Sequence, residues 1–143
     1  MKVEDLMSDE VICIDMDERL AVVRELFNKH EFHHLLVVDK NKKLTAVISE
    51  RDLLKAISPN IELPSANVKD LATLNKRIFQ IASKKVISIY QFSSFSDAVR
   101  IFKENKVSCL PVINSNNIPV GIITWRDVIS WLHEKISQVK EQK

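Results

Sequence analysis

The chain has 143 residues, of which 45% are hydrophobic and 28% are charged, and its formal net charge is +2. This composition can build a normal core but lacks the concentrated basic charge typical of proteins that bind nucleic acid or anionic membranes. A single glycine in the whole chain argues against the glycine-rich loops of P-loop and dinucleotide-binding proteins. The charged N-terminus, the lack of a long apolar run and two cysteines without a CxxC partner lead us to expect a cytoplasmic protein with reduced, buried cysteines.

The first half of the chain predicts a strand, a helix, two strands and a second helix. Residues 11–14 form a short β-branched strand, and Asp17 offers an N-cap to a helix that runs to about Lys29. Residues 35–38 are wholly apolar, which is typical of a buried strand, and residues 44–48 return beside them after a polar turn. The closing helix starts at Ser49.

The same order of elements recurs after a proline-bearing stretch, residues 58–64, which we interpret as a linker. A strand is predicted at residues 86–90, and Ser93 or Ser94 caps the following helix. Two further strands are predicted at residues 110–113 and 119–123. The last helix starts at Thr124.

The two halves are repeats of one another. Residues 11–57 match residues 86–132 at a constant offset of 75 without a gap. Upstream, residues 3–6 resemble residues 68–71 at an offset of 65, which predicts about ten extra residues at 72–81. We expect these extra residues, with Lys76 and Arg77, to modify the side of a ligand cleft.

This pattern predicts an α/β (α+β) fold of two βαββα repeats, packed as a pseudo-two-fold pair with a shared core. We place repeat one at residues 1–62 and repeat two at residues 63–143. The linker and inserted segment take up residues 63–82 of the second repeat.

One polar signature recurs at the start of each closing helix, as Ser49-x-x-Asp52 and Thr124-x-x-Asp127. The first interpretation is a capping box, in which hydroxyl and carboxylate satisfy free backbone N–H groups. The second is a ligand site, because a hydroxyl suits a phosphate or sugar oxygen and a carboxylate accepts both hydroxyls of a ribose. Aspartate is short for reaching back to the cap residue, which favours the ligand site. Arg51 and Arg126 could each face a phosphate or be solvated surface charges.

The gapless repeat, the buried strands and the [Ser/Thr]-x-x-Asp endings resemble a pair of cystathionine-β-synthase-type (CBS) domains, as in a stand-alone tandem CBS protein. Repeat two is close to the family pattern, whereas repeat one has Leu36 in place of Pro111 and Ala46 in place of Gly121. The resemblance implies a regulatory module without catalytic activity that requires no cofactor. It would bind AMP, ADP, ATP or S-adenosylmethionine in clefts between the repeats, and act on an unknown protein effector by a shift in conformational population.

The resemblance also implies a homodimer and two sets of ligand-binding residues. The aspartate would hold the ribose hydroxyls, the Ser or Thr would contact ribose or phosphate, and residues near the first strand would flank the adenine. One set consists of Thr124, Asp127, Arg126, Val86, Ile87, Ser108, Cys109, Leu110 and Pro111. The other consists of Ser49, Asp52, Arg51, Val11, Ile12, His33, His34 and Leu35. The alternative function is a CBS-type dimerisation or interaction module without a physiological ligand.

The neighbouring histidines His33 and His34 allow two roles. Some family members place a histidine at the position of His33 to face phosphate, and the alternative is a histidine at the surface or at the rim of a cleft. Neither an acidic residue nor a cysteine accompanies the pair at metal-ligand spacing, so we expect no metal site.

Overall fold

The computed structural model of the protein describes residues 1–83 and 85–142. They fall into two compact units, and neither unit is one half of the chain. The repeat-one unit is Ile12–Val86, and the repeat-two unit joins Met1–Val11 to Ile87–Lys143. Each unit has one three-stranded sheet and its own helices, so the predicted α+β fold with a repeated element order is confirmed. Among the described residues, no helix combines the length and the apolar content needed to cross a membrane.

The repeat-one unit carries the first sheet. Its elements are β1 (Cys13–Asp15), α1 (Leu20–Lys29), β2 (His34–Val38), β3 (Leu44–Ser49), α2 (Glu50–Ala56) and α3 (Val68–Ala72), followed by 3-10 turns at Thr73–Asn75 and Ile78–Gln80. β1 runs parallel to β2, and β2 runs antiparallel to β3. Every second residue of β3 is buried, as expected for a strand with one face on a core. The core includes Leu20, Val23, Leu35, Val37, Ile48 and Ile78.

The repeat-two unit is built in the same way. Its elements are a 3-10 turn at Val3–Asp5, β4 (Ile89–Tyr90), α4 (Phe95–Glu104), β5 (Cys109–Ile113), β6 (Pro119–Thr124) and α5 (Trp125–Glu141). β4 is parallel to β5, and β5 is antiparallel to β6. The core includes Val3, Ile89, Ala98, Leu110, Val112 and Ile123.

Each unit is completed by a segment that precedes the other repeat in sequence. In the repeat-two unit, the N–H of Val3 donates to the carbonyl of Ser93 over 2.9 Å. In the repeat-one unit, the N–H of Ile78 donates to the carbonyl of Glu18 over 3.0 Å. The two donors are 75 residues apart, and so are the two acceptors. Val3 and Ile78 are both completely buried. The N-terminal segment and the segment before residue 87 therefore exchange places between the repeats.

This exchange corrects the predicted register upstream of residue 11. The sequence matched residues 3–6 with residues 68–71 at an offset of 65. In the structure, the 3-10 turn Val3–Asp5 corresponds to Ile78–Gln80, so the offset of 75 continues to the start of the repeat. Val68 begins helix α3 and is 84% exposed, unlike the buried Val3. The prediction of ten residues inserted at 72–81 is wrong, because local similarity of four residues outweighed the longer register.

The glycine of repeat two allows the N-terminal segment to cross β6. Ser8 and Ile122 exchange two backbone hydrogen bonds of 2.9 Å each. A Cβ atom on Gly121 would lie 2.9 Å from the carbonyl oxygen of Ser8 and would also overlap the side chain of Met7. In the repeat-one unit, Ser83 bridges β3 at Val47, so the crossing itself is shared by both units.

Two local predictions in repeat one are wrong. Helix α1 begins after Arg19, which makes no side-chain capping bond, whereas Asp17 lies in a turn where its N–H donates to Oδ1 of Asp15 over 2.7 Å. Cys13 is exposed, because the alternation of β1 turns Ile14 to the core and its neighbours outward. Partial desolvation still raises the pKa of the Cys13 thiol. In repeat two, Ser94 caps α4 and Cys109 is buried, as predicted.

Candidate ligand-binding site

The topology of each sheet brings three chain segments to the same end. Because β1 and β2 are parallel and β3 is antiparallel to them, the start of β1, the start of β2 and the end of β3 coincide. In the repeat-one unit, the N–H of Leu36 donates to the carbonyl of Ile12 over 3.1 Å, and His34 lies opposite Ser49. The N–H of Glu50 donates to the carbonyl of His33 over 2.9 Å. The predicted residues of the first strand, second strand and signature therefore meet at this end.

The repeat-two unit shows the same arrangement. Cys109 lies opposite Thr124, and the N–H of Trp125 donates to the carbonyl of Ser108 over 3.3 Å. Ile87, which precedes β4, packs against the core of this unit. Both signatures thus begin a helix at the end of the sheet where the first strand starts.

The signature residues form capping boxes in both repeats. In repeat one, the N–H of Ser49 donates to Oδ2 of Asp52 over 2.9 Å, and the N–H of Asp52 donates to Oγ of Ser49 over 3.1 Å. In repeat two, the N–H of Thr124 donates to Oδ2 of Asp127 over 2.8 Å, and the returning bond to the threonine hydroxyl is 3.4 Å long. The expectation that aspartate is too short for the box is wrong, because the extended backbone of the cap residue turns its N–H toward the carboxylate.

The capping bonds do not exclude a role in ligand binding. Both boxes use Oδ2 of the aspartate, and an ionised carboxylate offers about four acceptor positions on its two oxygens. Asp52 and Asp127 are both half-buried, so part of each side chain remains accessible. The box fixes the direction of the carboxylate, and an oriented acceptor loses less entropy when a ligand hydroxyl binds.

A difference between the repeats lies at the start of the second strand. Leu36 donates its N–H to the carbonyl of Ile12, but its counterpart 75 residues later is Pro111. Proline has no N–H group, so the carbonyl of Ile87 cannot receive the equivalent bond. Repeat two therefore keeps a backbone acceptor at this sheet end that repeat one uses within the sheet.

The remaining predicted residues differ in how deeply they are buried. Leu35, Leu110 and Pro111 are fully buried, so only their backbone can reach a ligand. Ile12 and Val86 are half-buried, and both pack against the repeat-one core. Val11 is also half-buried, and its N–H donates to the carbonyl of Asp9. Ser108 is exposed.

Charged side chains at the two sheet ends differ in their surroundings. Arg51 and Arg126 are exposed, and neither takes part in an ion pair among residues 1–83 and 85–142. His33 is exposed, and its Nδ1 lies 2.7 Å from Oε2 of Glu50. His34 is half-buried, and desolvation lowers its pKa, an effect that His33 increases and Asp52 opposes. Within the described part of the chain, no group of three metal-ligating side chains occurs.

Two lysines beside Asp52 were not among the predicted site residues. Lys55 and Lys76 line a cavity of about 290 Å³ together with Asp52, Ala56 and Ile81. Lys55 follows Asp52 by three residues, and this helical spacing was a signal in the sequence. The sequence predicts Lys76 beside a cleft only as part of the ten-residue insertion at 72–81. The offset of 75 residues is needed to assign Lys76 to the repeat-one unit.

The chain is similar to known proteins along both repeats. The CBS domain family matches the chain at residues 3–59 and at residues 78–134, two stretches that are again 75 residues apart. A CBS domain-containing protein of Dictyostelium discoideum is 28% identical over 141 residues, covering 98% of this chain and 97% of the relative. Other relatives are larger enzymes, homoserine O-acetyltransferases, of which the chain spans 24% and 23%.

Two solved structures are similar over nearly their whole length. A putative acetoin utilization protein, AcuB from Vibrio cholerae, is 26% identical with a TM-score of 0.76, covering 100% of this chain and 97% of that one. The CBS domain pair of protein MJ0100, in complex with 5′-methylthioadenosine and S-adenosyl-L-methionine, is 25% identical with a TM-score of 0.76, covering 94% and 98%. Both family matches coincide with the two repeats found in the structure, and the chain therefore belongs to the CBS domain family.

Proposed function

We propose that this chain is a regulatory ligand-sensing module that binds adenosine nucleotides or their derivatives without transforming them. The observation that carries the proposal is the oriented aspartate beside the first-strand backbone, which occurs at the same sheet end in both units. The MJ0100 CBS domain pair, which resembles this chain over nearly its whole length, is complexed with two adenosine derivatives. Binding would act by stabilising one member of a conformational equilibrium.

The chemistry of an adenosine ligand fits the groups at this end. Ribose hydroxyls donate to a carboxylate, which is the role we assign to Asp127 and Asp52. We assign the hydroxyl of Thr124 or Ser49 to a contact with a ribose or phosphate oxygen; the Thr124 hydroxyl also donates to Oδ2 of Asp127 over 3.1 Å. Pro111 has no N–H to donate to the carbonyl of Ile87. We assign this carbonyl as an acceptor for the exocyclic amine of adenine. Repeat two offers the larger set of acceptors, so we assign it the primary site.

Replacement of Asp127 tests this function. Asp127→Ala should weaken binding of AMP or S-adenosylmethionine by about 1.5–3 kcal/mol, because it removes a hydrogen-bond acceptor that carries charge. Asp127→Asn keeps an oxygen for the N–H of Thr124, so it separates ligand binding from capping. Asp97→Ala, in the first turn of α4, is the matched control in the same unit. Isothermal titration calorimetry gives the affinities, and unchanged affinity in both Asp127 variants would contradict the proposal.

The alternative, an interaction module without a ligand, and an enzyme make different predictions. A ligand present at 100 times its dissociation constant should stabilise the fold by about 2.7 kcal/mol, which a thermal-shift panel of adenosine compounds detects. No change in melting temperature with any adenosine compound would favour the interaction module. Steady turnover of one of these compounds by the purified protein would show an enzyme.

We further propose that the chain forms a homodimer through α5. Its exposed apolar residues are spaced by four, three, four and three positions, which places them along one side of the helix, and they are Trp125, Ile129, Leu132, Ile136 and Val139. Such a stripe can pair with a copy of itself across a two-fold axis. Light scattering should give twice the monomer mass, and Leu132→Glu should give the monomer. A monomeric wild-type protein at micromolar concentration would contradict this assembly.

A further inference from the structure

The cavity beside Asp52 has a cationic wall. It is lined by Asp52, Lys55, Ala56, Lys76 and Ile81 and has a volume of about 290 Å³; we name it the Asp52 cavity. Asp52 and Lys55 lie on one face of α2, since residues three apart are neighbours on a helix surface. Lys76 and Ile81 come from the exchanged segment that completes the repeat-one unit.

Lys76 is held in a fixed position at this wall. The N–H of Leu20 donates to its carbonyl over 2.9 Å, at the start of α1. Its ammonium group donates to the carbonyl of Ala56 over 3.0 Å. Ala56 is the last residue of α2, where the free carbonyls favour a cation. An ammonium group anchored in this way loses little side-chain entropy when an anion binds beside it.

The cavity is short of negative charge. It contains two ammonium groups and one carboxylate, and within residues 1–83 and 85–142 neither lysine takes part in an ion pair. An excess of one positive charge suits a phosphate monoester, which carries a charge of about −1.5 to −2 at pH 7. Asp52, which we assign to the ribose hydroxyls, is at the same cavity, so sugar and phosphate of one nucleotide can be held together.

The equivalent positions of repeat two carry no charged side chain. Lys55 corresponds to Ser130, and Lys76 corresponds to Met1. The backbone is the same at this place, because the carbonyl of Met1 accepts from the N–H of Phe95 over 3.0 Å just as that of Lys76 accepts from Leu20. With this backbone bond in common, the two positions differ in the charge of their side chains.

We propose that the Asp52 cavity is a phosphate subsite, in which Lys55 and Lys76 hold the phosphate of a phosphorylated adenosine. This inference rests on the proposed function and narrows the ligand class of repeat one to anionic nucleotides. Repeat two has neither of these lysine side chains, so we expect no equivalent side-chain selection for phosphate there.

The test compares AMP with adenosine, which differ only by the phosphate. Calorimetric titrations use the full chain with Asp127→Ala, so that binding reports on repeat one. AMP should bind about tenfold more tightly than adenosine, as expected for one charged hydrogen bond, and the ratio should fall as salt is raised. Lys55→Met and Lys76→Met should each lower the ratio, and together bring it close to one. Lys69→Met, an exposed lysine of α3 outside the cavity, is the matched control.

The outcomes separate this inference from the function on which it rests. Equal affinities for AMP and adenosine in the Asp127→Ala protein would overturn the phosphate subsite and leave the adenosine site intact. A preference for AMP that survives the double lysine substitution would overturn it as well. Absence of binding of either compound to the wild-type protein would overturn both proposals. If Lys76→Met fails to fold, the exposed Lys55 still provides the test.

Discussion

The two units have the same sheet topology but differ at most aligned side chains, several of them at the proposed ligand-binding end. The crossing segments, the order of strands and the capping boxes match at an offset of 75 residues. The differences on which our predictions rest are Leu36 and Pro111, Ala46 and Gly121, His34 and Cys109, Lys55 and Ser130, and Lys76 and Met1. The comparison shows that apolar patterning maintains the fold of each repeat, whereas substitutions at one end of the sheet can give the two proposed sites different chemistry.

The largest expected effect tests the exchange of segments itself. Ile78→Ala should lower the free energy of unfolding by about 2–5 kcal/mol, because Ile78 is completely buried in the repeat-one core. Val68→Ala should change it by less than about 0.5 kcal/mol, because Val68 is exposed. Urea unfolding provides both values. Equal losses of unfolding free energy in Ile78→Ala and Val68→Ala would contradict the structural correspondence of Val3 and Ile78.

Gly121→Ala should have the next largest effect. The added Cβ must push away the backbone of Ser8, and overpacking of this kind costs about 1–3 kcal/mol of unfolding free energy. Ala46→Gly, the reverse change in repeat one, should cost about 0.5–1 kcal/mol through added backbone freedom. Chemical denaturation of both variants measures the contrast. Gly121→Ala with wild-type stability would show that the crossing of β6 does not depend on glycine.

A smaller effect is expected for the proline of the second strand. Pro111→Ala restores an N–H that can donate to the carbonyl of Ile87, as Leu36 donates to Ile12. Ligand affinity should then fall two- to tenfold, which corresponds to about 0.5–1.5 kcal/mol for one neutral hydrogen bond. Pro119→Ala, at the start of β6, controls for loss of a proline in the same unit. The idea fails if calorimetry finds no greater loss for Pro111→Ala than for the control.

The sequence predicted the order of strands and helices because short apolar runs and polar turns recur with the same spacing. It also predicted the position of the signature, since Ser49 and Thr124 each end a strand and cap a helix. The exchange of segments was missed because the 3-10 turns are held by backbone hydrogen bonds, which need little sequence similarity between Val3 and Ile78. Lys76 reaches Ala56 across 20 residues, a contact that no local pattern encodes.

The smallest expected effect concerns His34, where the repeats differ in protonation. Desolvation lowers the pKa of His34 from its ordinary value of 6.5, His33 lowers it further, and Asp52 raises it. The unfolded chain therefore takes up the proton first on acidification, so stability from the neutral ring is complete above about pH 6.5 and is lost as the pH falls through the folded-state pKa. Its counterpart Cys109 gains no positive charge in acid. His34→Gln should reduce the loss of unfolding free energy between pH 7.5 and pH 5, measured by urea unfolding. If this variant loses as much stability as the wild type over that range, His34 does not distinguish the repeats.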